Sequence, residues 1–443
     1  MQDALFGGMD AATNPEESRP VERAGTVRMR LADRSQIAMQ LCSIDELVPP
    51  DHRVRVIWDA VCQMDLSRFQ ASIQTREFTQ GRSPNDVRVM VGLWLWAAVS
   101  NVFCGRELER RCERDLTFKW MCGGLSMNYH TLNDFRVEHG EALDQLFTAT
   151  LGRLMHAELV TVDRISQDGT RVRASAGGKS FLRRPTLEEC LIEAEAHLAD
   201  LKKQHDCGEN QPVPQQQQRE LALATDRLNR VRQALEEIPK VEASRAKSHN
   251  KNREKPPRAS TTDPEARMMK MANGGFNPAY NVQLASDPLS RAIVGVMVSN
   301  GGNDTPLSKP MREQVEKRTG QKVSEHLLDG GYISFEVIDD AAAENVVLFA
   351  PVPDRYDKDE TPDRFARQKN DTDAIADWRK RMKTDEAKEI YQQRASTSET
   401  VNADLRTYRG LGPFSVRGIA KVTCVALWSA LAYNLIHFAW VLT

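Results

Sequence analysis

The chain has no Cys-x-x-Cys pair, almost no net charge and no apolar run at its start, and each absence removes a class of protein. Eight cysteines are present. Cys104, Cys112 and Cys122 are widely spaced and have no His-x-x-x-His partner, which argues against a structural zinc site. Free thiols in a reducing cytoplasm are the expectation. The opening residues, MQDALFGGMDAATNPEESRP, are polar, so no secretory signal is expected. A formal net charge of −2 argues mildly against a nucleic-acid binder. A chain of this balance could handle DNA only through local positive patches.

Formal charge is also missing from Val422 to Thr443, a stretch just long enough to span a bilayer. Thr423, Ser429, Asn434 and His437 interrupt it, and Lys421 sits at its edge. A buried core helix is the better reading, with a membrane anchor as the alternative.

What is present is ordinary for a soluble protein: 28% charged and 40% hydrophobic residues over 443 positions, enough for two or three domains. Residues 1–42 read as a disordered or flexible tail. Residues 43–150 read as helical, with Ser83-Pro84 before an apolar run and Gly123-Gly124 as a break. That pattern fits a helix-turn-helix-like DNA reader and a plain helical bundle equally well.

From Leu159 the pattern becomes strand-like. Two heptad-spaced segments follow. One has Leu187, Leu191, Ala194, Leu198 and Leu201; the other has Leu221, Ala224, Leu228, Val231 and Leu235. They predict a helical hairpin, inserted at about 186–239, with a coiled-coil seam. A basic linker follows at about 240–262. Strands and helices then alternate to Val352, a charged loop runs from Asp354 to about Lys383, and one long helix is expected from Asp385 to Arg409.

Three acids stand out by position. Asp168 precedes Gly169 and is expected at or near a strand end. Asp329 precedes Gly330-Gly331, a turn that lets a substrate backbone approach. Glu399 lies inside the long helix. With Tyr391 at 0°, a uniform turn of about 100° per residue puts Arg394 near 300°, Glu399 near 80° and Arg406 near 60°. All four then share an arc of roughly 140°. Hard oxygen ligands beside phosphate-holding arginines suit metal-assisted phosphodiester chemistry. A solvated helix face carrying incidental charge fits the helix taken alone.

The helix sequence YQQRASTSETVNADLR resembles the Tyr-x-x-Arg…Glu…Lys signature of DDE transposases of bacterial insertion sequences, with Arg406 where the family usually has Lys. SQDGTRVRASAG resembles the first-aspartate motif and HLLDGGYIS the second. TTDPEARMMK, FNPAYNVQLASD, IVGVMVSNGGNDTPL, DELVPPDHRVR, GRSPNDVRVMVGLWLW and YHTLNDFR are similar to one branch of that family, the one with a helical N-terminal domain. The resemblance runs from Ser43 to the C-terminus.

It implies a mixed fold: an all-α N-terminal DNA-binding domain over 43–150, then an α/β RNase H-like catalytic domain over 151–443 carrying the helical-hairpin insertion. It assigns Asp168, Asp329 and Glu399 to catalysis and to two Mg²⁺ ions, with Mn²⁺ as a substitute. It assigns DNA contact to Tyr391, Arg394, Arg406 and Tyr332, and to the basic run that includes Arg171, Arg173 and Lys179, for which a solvated turn is the alternative. Asp304 reads as a structural acid, with a supporting role in the site as the alternative.

The implied activity is cleavage of transposon-end DNA and strand transfer into target DNA. The implied partners are the terminal inverted repeats, target DNA and further copies of the chain, with no membrane and a cytoplasmic, nucleoid-associated location. A catalytically silent DNA-binding protein derived from a transposase is the alternative.

Overall fold

The structure is a computed structural model describing Ser35, Ile37 and residues 41–71, 73, 83–205, 214–246, 255–353 and 363–442. The expected tail over 1–42 lies outside the described residues, except Ser35, Ile37, Leu41 and Cys42. So do 247–254 of the basic linker and 354–362 of the charged loop.

Helices come first, and several begin on a side chain that satisfies a free N–H group. His52 Nδ1 accepts from Val54 N–H at the head of α1 (Arg53–Cys62). After α2 (Ser67–Gln70), Asp86 accepts from Arg88 N–H at the head of α3 (Val87–Val99). Beyond α4 (Gly105–Arg114), Asp115 caps α5 (Leu116–Cys122), which stops at Gly123 with φ 57°. Asn128 caps α6 (Tyr129–Glu138), and α7 (Gly140–His156) follows. α3 is apolar on nearly every side and almost wholly buried, as a central helix must be. Arg136 of α6 is also buried: it donates to Phe103 O at 2.6 Å and lies over the Trp94 ring. It therefore braces the helices and is not free to read DNA.

β1 (Arg164–Arg173) opens the sheet. A short pair, β2 (Phe181–Leu182) with β3 (Ala259–Ser260), closes the base of a hairpin made by α8 (Arg184–His205) and α9 (Gln215–Ala246). The two helices pack along one another, and Ala224, Leu228 and Val231 of the heptad pattern are buried. α9 runs on through Lys240 to Ala246, with Val241 buried and Lys240 paired to Glu237.

Next come β4 (Arg267–Lys270), β5 (Phe276–Ser286), β6 (Ile293–Ser299), α10 (Ser308–Thr319), β7 (Glu325–Leu327), α11 (Phe335–Ala343) and β8 (Val347–Phe349). β5 is antiparallel to β1 from Ser166↔Ser286 to Arg173↔Ala279, and its far edge is shared by β4 and β6. On the other side of β1, β7 and β8 run parallel. Three antiparallel strands continuing into parallel ones, β6-β5-β1-β7-β8, form the sheet of an RNase H-like domain.

The last helices are α12 (Asp373–Lys383), α13 (Asp385–Arg394), a π turn (Ala395–Glu399), α14 (Thr400–Tyr408), α15 (Ile419–His437) and α16 (Ala439–Leu442). α15 is long and apolar enough to cross a membrane, yet it is largely buried against α3, α6, α7 and β6. It is the core helix that its interrupting polar residues predicted. Asn434 shows why one of them is there: its Oδ1 accepts from Ile293 N–H and its Nδ2 donates to Ile293 O, both at 2.9 Å. The fold is thus mixed: helical first, then α/β with a helical-hairpin insertion.

Candidate active site

Asp168 is in the middle of β1, opposite Leu284, and not at a strand end as expected. The reason lies in its two neighbours. Parallel pairing with β7 stops at Ser166↔Leu327, while antiparallel pairing with β5 continues to Arg173. Asp168 therefore sits just past the end of β7, beside the gap into which that strand delivers Asp329. Asp329 follows Leu328 and caps a short 3-10 turn, accepting from Gly331 N–H at 2.7 Å. A Cβ on Gly331 would come within 3.0 Å of that same carboxylate, so glycine keeps the turn open.

Arg394, at the end of α13, joins the two acids. Its Nη2 donates to Asp168 Oδ1 at 3.0 Å and lies 3.6 Å from Asp329 Oδ2. Asn402 Nδ2 donates to the other Asp168 oxygen at 2.9 Å. Between these contacts the π turn is fastened to the sheet by a 2.7 Å bond between Ser398 Oγ and Ser166 Oγ.

The π turn corrects the uniform helical wheel. A turn closed by i→i+5 bonds holds one more residue than an α turn. Arg394 and Glu399, five positions apart, are therefore about one turn apart, nearer in angle than the wheel placed them. Arg406 follows seven residues later along α helix, about two turns on, so the three form one stripe.

Glu399 itself is exposed, and its carboxylate makes no hydrogen bond or ion pair with the described residues. The geometry unites Asp168, Asp329 and Arg394, and holds Glu399 on the neighbouring turn without bringing its carboxylate to theirs. Among the described residues no three Asp, Glu, His or Cys side chains stand close enough to cage an ion as they are.

Burial raises the Asp168 carboxyl above its usual range and nearby Asp329 adds to this, while Arg394 pulls it down. Tyr391 is half-buried next to Arg394, its phenol pushed up chiefly by burial. Tyr332 does not fit its expected role. It is fully buried, and its hydroxyl donates to Gln283 Oε1, so it supports the acids from behind and offers no surface to DNA. Burial, then the charges of Asp304, Asp168 and Asp329, keep its phenol protonated.

A cleft of about 800 Å³ opens beside Asp329. Arg171, Arg173, Lys270 and Arg406 line it with Asp304, and Arg171 is tethered to Lys270 O and Gly302 O at 2.7 and 3.1 Å. Lys179 is exposed in a separate turn. Asn402, Asn281 and Gln283 were not foreseen from the sequence. The one available signal was the three-residue step from Glu399 to Asn402, which puts both near one helix face.

The residues suit a divalent cation. Asp168 and Asp329 offer hard oxygens already bridged by one positive group, the Arg394 guanidinium. The Asn402 side-chain oxygen is buried with no partner beside them, the kind of atom that an ion or its bound water satisfies.

Comparison with known proteins accords with this geometry. Residues 42–138 match the family model described as a transposase domain (DUF772), and residues 356–439 match that of a transposase DDE domain. No curated protein and no solved structure matches the chain. DDE transposases use divalent metal, and the second match covers Tyr391, Arg394 and Glu399. A transposase match on the helical segment, a DDE match on the helix that closes over Asp168 and Asp329, and an RNase H-like sheet between them place the chain among the DDE transposases of insertion sequences.

Proposed function

We propose that the protein cleaves the ends of its own transposon and joins the freed 3′ ends to target DNA, with Asp168, Asp329 and Glu399 as the metal-holding acids. The observation that carries the reading is the bridge from Arg394 to both Asp168 and Asp329, made by the helix that bears Glu399. Two Mg²⁺ ions, or Mn²⁺ in their place, would activate the attacking oxygen and stabilise the leaving one.

The chain's own residues do the rest. Arg406, Arg171 and Arg173 line the cleft beside Asp329 and are placed to hold DNA phosphates. Arg394 passes from the carboxylates to a phosphate as DNA and metal arrive, and Glu399 turns inward from the next turn. Hydrolysis frees a 3′-hydroxyl. Its oxygen then bonds to a target phosphorus as the target's own 3′ oxygen leaves, so bond number is conserved and no energy-rich cofactor is needed. The helical region over 43–150 would recognise terminal repeats. Joining two ends calls for more than one copy on the DNA, in the cytoplasm at the nucleoid.

The exposure of Glu399 favours the second reading, a silent DNA binder. Supercoiled plasmid and Mn²⁺ or Mg²⁺ decide between them, with wild type beside Glu399→Gln. Metal-dependent nicking reduced at least about 100-fold in the variant supports the enzyme. DNA binding by both proteins without nicking, even on a plasmid carrying the element's own ends, supports the binder.

A further inference from the structure

A fourth acid borders the same gap. Asp304 follows β6 in the GGNDTPL segment, and its loop is tied to both other acidic segments. Arg171, three residues past Asp168, donates to Gly302 O at 3.1 Å, and Thr305 Oγ1 donates to Gly331 O at 3.1 Å.

The carboxylate itself is held from one side only. Its Oδ1 accepts from Asn281 Nδ2 at 2.6 Å and from Gln283 Nε2 at 2.9 Å. Gln283 is fully buried and in turn receives the Tyr332 hydroxyl and Gln167 Nε2. Asp304 Oδ2 takes no hydrogen bond from the described residues and lies on the side of the Asp329 turn. It lies 3.9 Å from the place a Gly331 Cβ would occupy, a point only 3.0 Å from Asp329 Oδ1.

Two glycines keep this approach open. A Cβ on Gly169, the residue after Asp168, would fall 2.2 Å from Gln283 Nε2 and 3.2 Å from Asp304 Oδ1. Any side chain there would push out the amides that orient Asp304. An independent feature of the gap is Asn402, only 9% exposed, with Nδ2 on Asp168 and Oδ1 without a partner.

We propose that Asp304 is a fourth carboxylate of the metal site, with Oδ1 fixed by Asn281 and Gln283 so that Oδ2 meets the cation shared with Asp329. This rests on the proposed metal-dependent activity. It explains why two buried amides converge on one oxygen of an acid and leave the other free. A purely structural acid would gain from having both oxygens bonded.

Asp304→Asn separates the two roles, because the asparagine oxygen can still accept from Asn281 and Gln283 while the free oxygen is replaced. The full-length protein is titrated with Mn²⁺ alone, free ion being read by its electron paramagnetic resonance signal, beside Asp168→Asn and Asp329→Asn. Weakening of Mn²⁺ binding by about tenfold or more in Asp304→Asn, with its metal-free melting temperature unchanged, is the expected result. Wild-type affinity in Asp304→Asn while Asp168→Asn and Asp329→Asn bind weakly overturns the proposal and leaves the proposed function standing. Wild-type affinity in all three variants overturns both.

Should Asp304→Asn not fold, Asp304→Ser is titrated with Mn²⁺ in its place: binding weakened by about tenfold or more supports the fourth ligand, and wild-type affinity overturns it.

Discussion

Asp168 is largely buried, with a side-chain exposure of 20%, and Arg394 is the nearby cation that opposes the effect of burial on its carboxyl. A guanidinium shared between two acids balances the same charges that a divalent ion would balance, so the two sources of compensation overlap. Replacing Arg394 with Gln should destabilise the protein in chelator by about 2 kcal/mol, the usual scale for a lost hydrogen bond to a charged group. Saturating Mn²⁺ should shrink that deficit, because the ion then neutralises Asp168 and Asp329 without help. Thermal unfolding of both proteins with and without Mn²⁺ measures it. A deficit unchanged by the ion would mean that Arg394 and the metal do not act on the same carboxylates. The residue scale also shows what the sequence could not reveal. Asp329 was legible because Gly330-Gly331 marks a turn on its own. The partners of Asp168 and Asp304 were not, because Asn402, Asn281 and Gln283 reach them across 234, 23 and 21 positions of chain, and nothing local marks an amide as facing an acid.

The element that sets the site is the helix from Asp385 to Tyr408, which a π turn interrupts at Ala395–Glu399. Sequence periodicity found its extent, its acidic first turn and the glycines that follow it. It could not find the π turn, since a wheel assumes the same rotation at every residue. The added residue costs helical regularity. It is retained where Thr397 and Ser398 are buried on the sheet and Ser398 meets Ser166. A π turn of this kind amounts to an α turn with one residue inserted. Deleting the exposed Ser396 should therefore restore plain α-helix while leaving the flanking segments in register. Arg394 and Asn402 would keep Asp168, and the acid, now four positions from Arg394, would stay on the same stripe. Nicking by the deletion variant is expected within about tenfold of wild type, against loss of activity when one alanine is inserted after Ala395. Equal loss in both variants would show that the π turn has a role beyond spacing. The same limit of pattern reading explains Asp168: alternation locates β1, but only its two neighbours, one stopping and one continuing, define the gap where the acid lies.

Over the whole described molecule, the helical region and the sheet are joined by α15. Its residues Val422 to Leu435 share one continuous hydrophobic core with α1, α3 and α7 on one side and β5 and β6 on the other. A second core beneath β7 and β8 takes in Trp378, Met382 and Ala387, with Tyr391 packed against it, so the helix leading to Arg394 is anchored there. The site therefore depends on packing well beyond its own residues. The link is sharpest at Asn434, fully buried, which returns both hydrogen bonds to the Ile293 backbone. Changing Asn434 to Leu keeps the volume similar and strands an N–H and a C=O of β6 in an apolar interior. Each unsatisfied group costs about 1–3 kcal/mol. The expected result is a loss of about 2–6 kcal/mol in urea unfolding, from those two groups together. The loss should appear equally in tryptophan fluorescence, weighted to the helical region by Trp58, Trp94, Trp96 and Trp120, and in far-ultraviolet circular dichroism. Coincident midpoints that shift together mean that α15 makes the helical region and the sheet one cooperative unit. Separated midpoints, with only one moved by the substitution, would mean that the two regions fold apart despite their shared core.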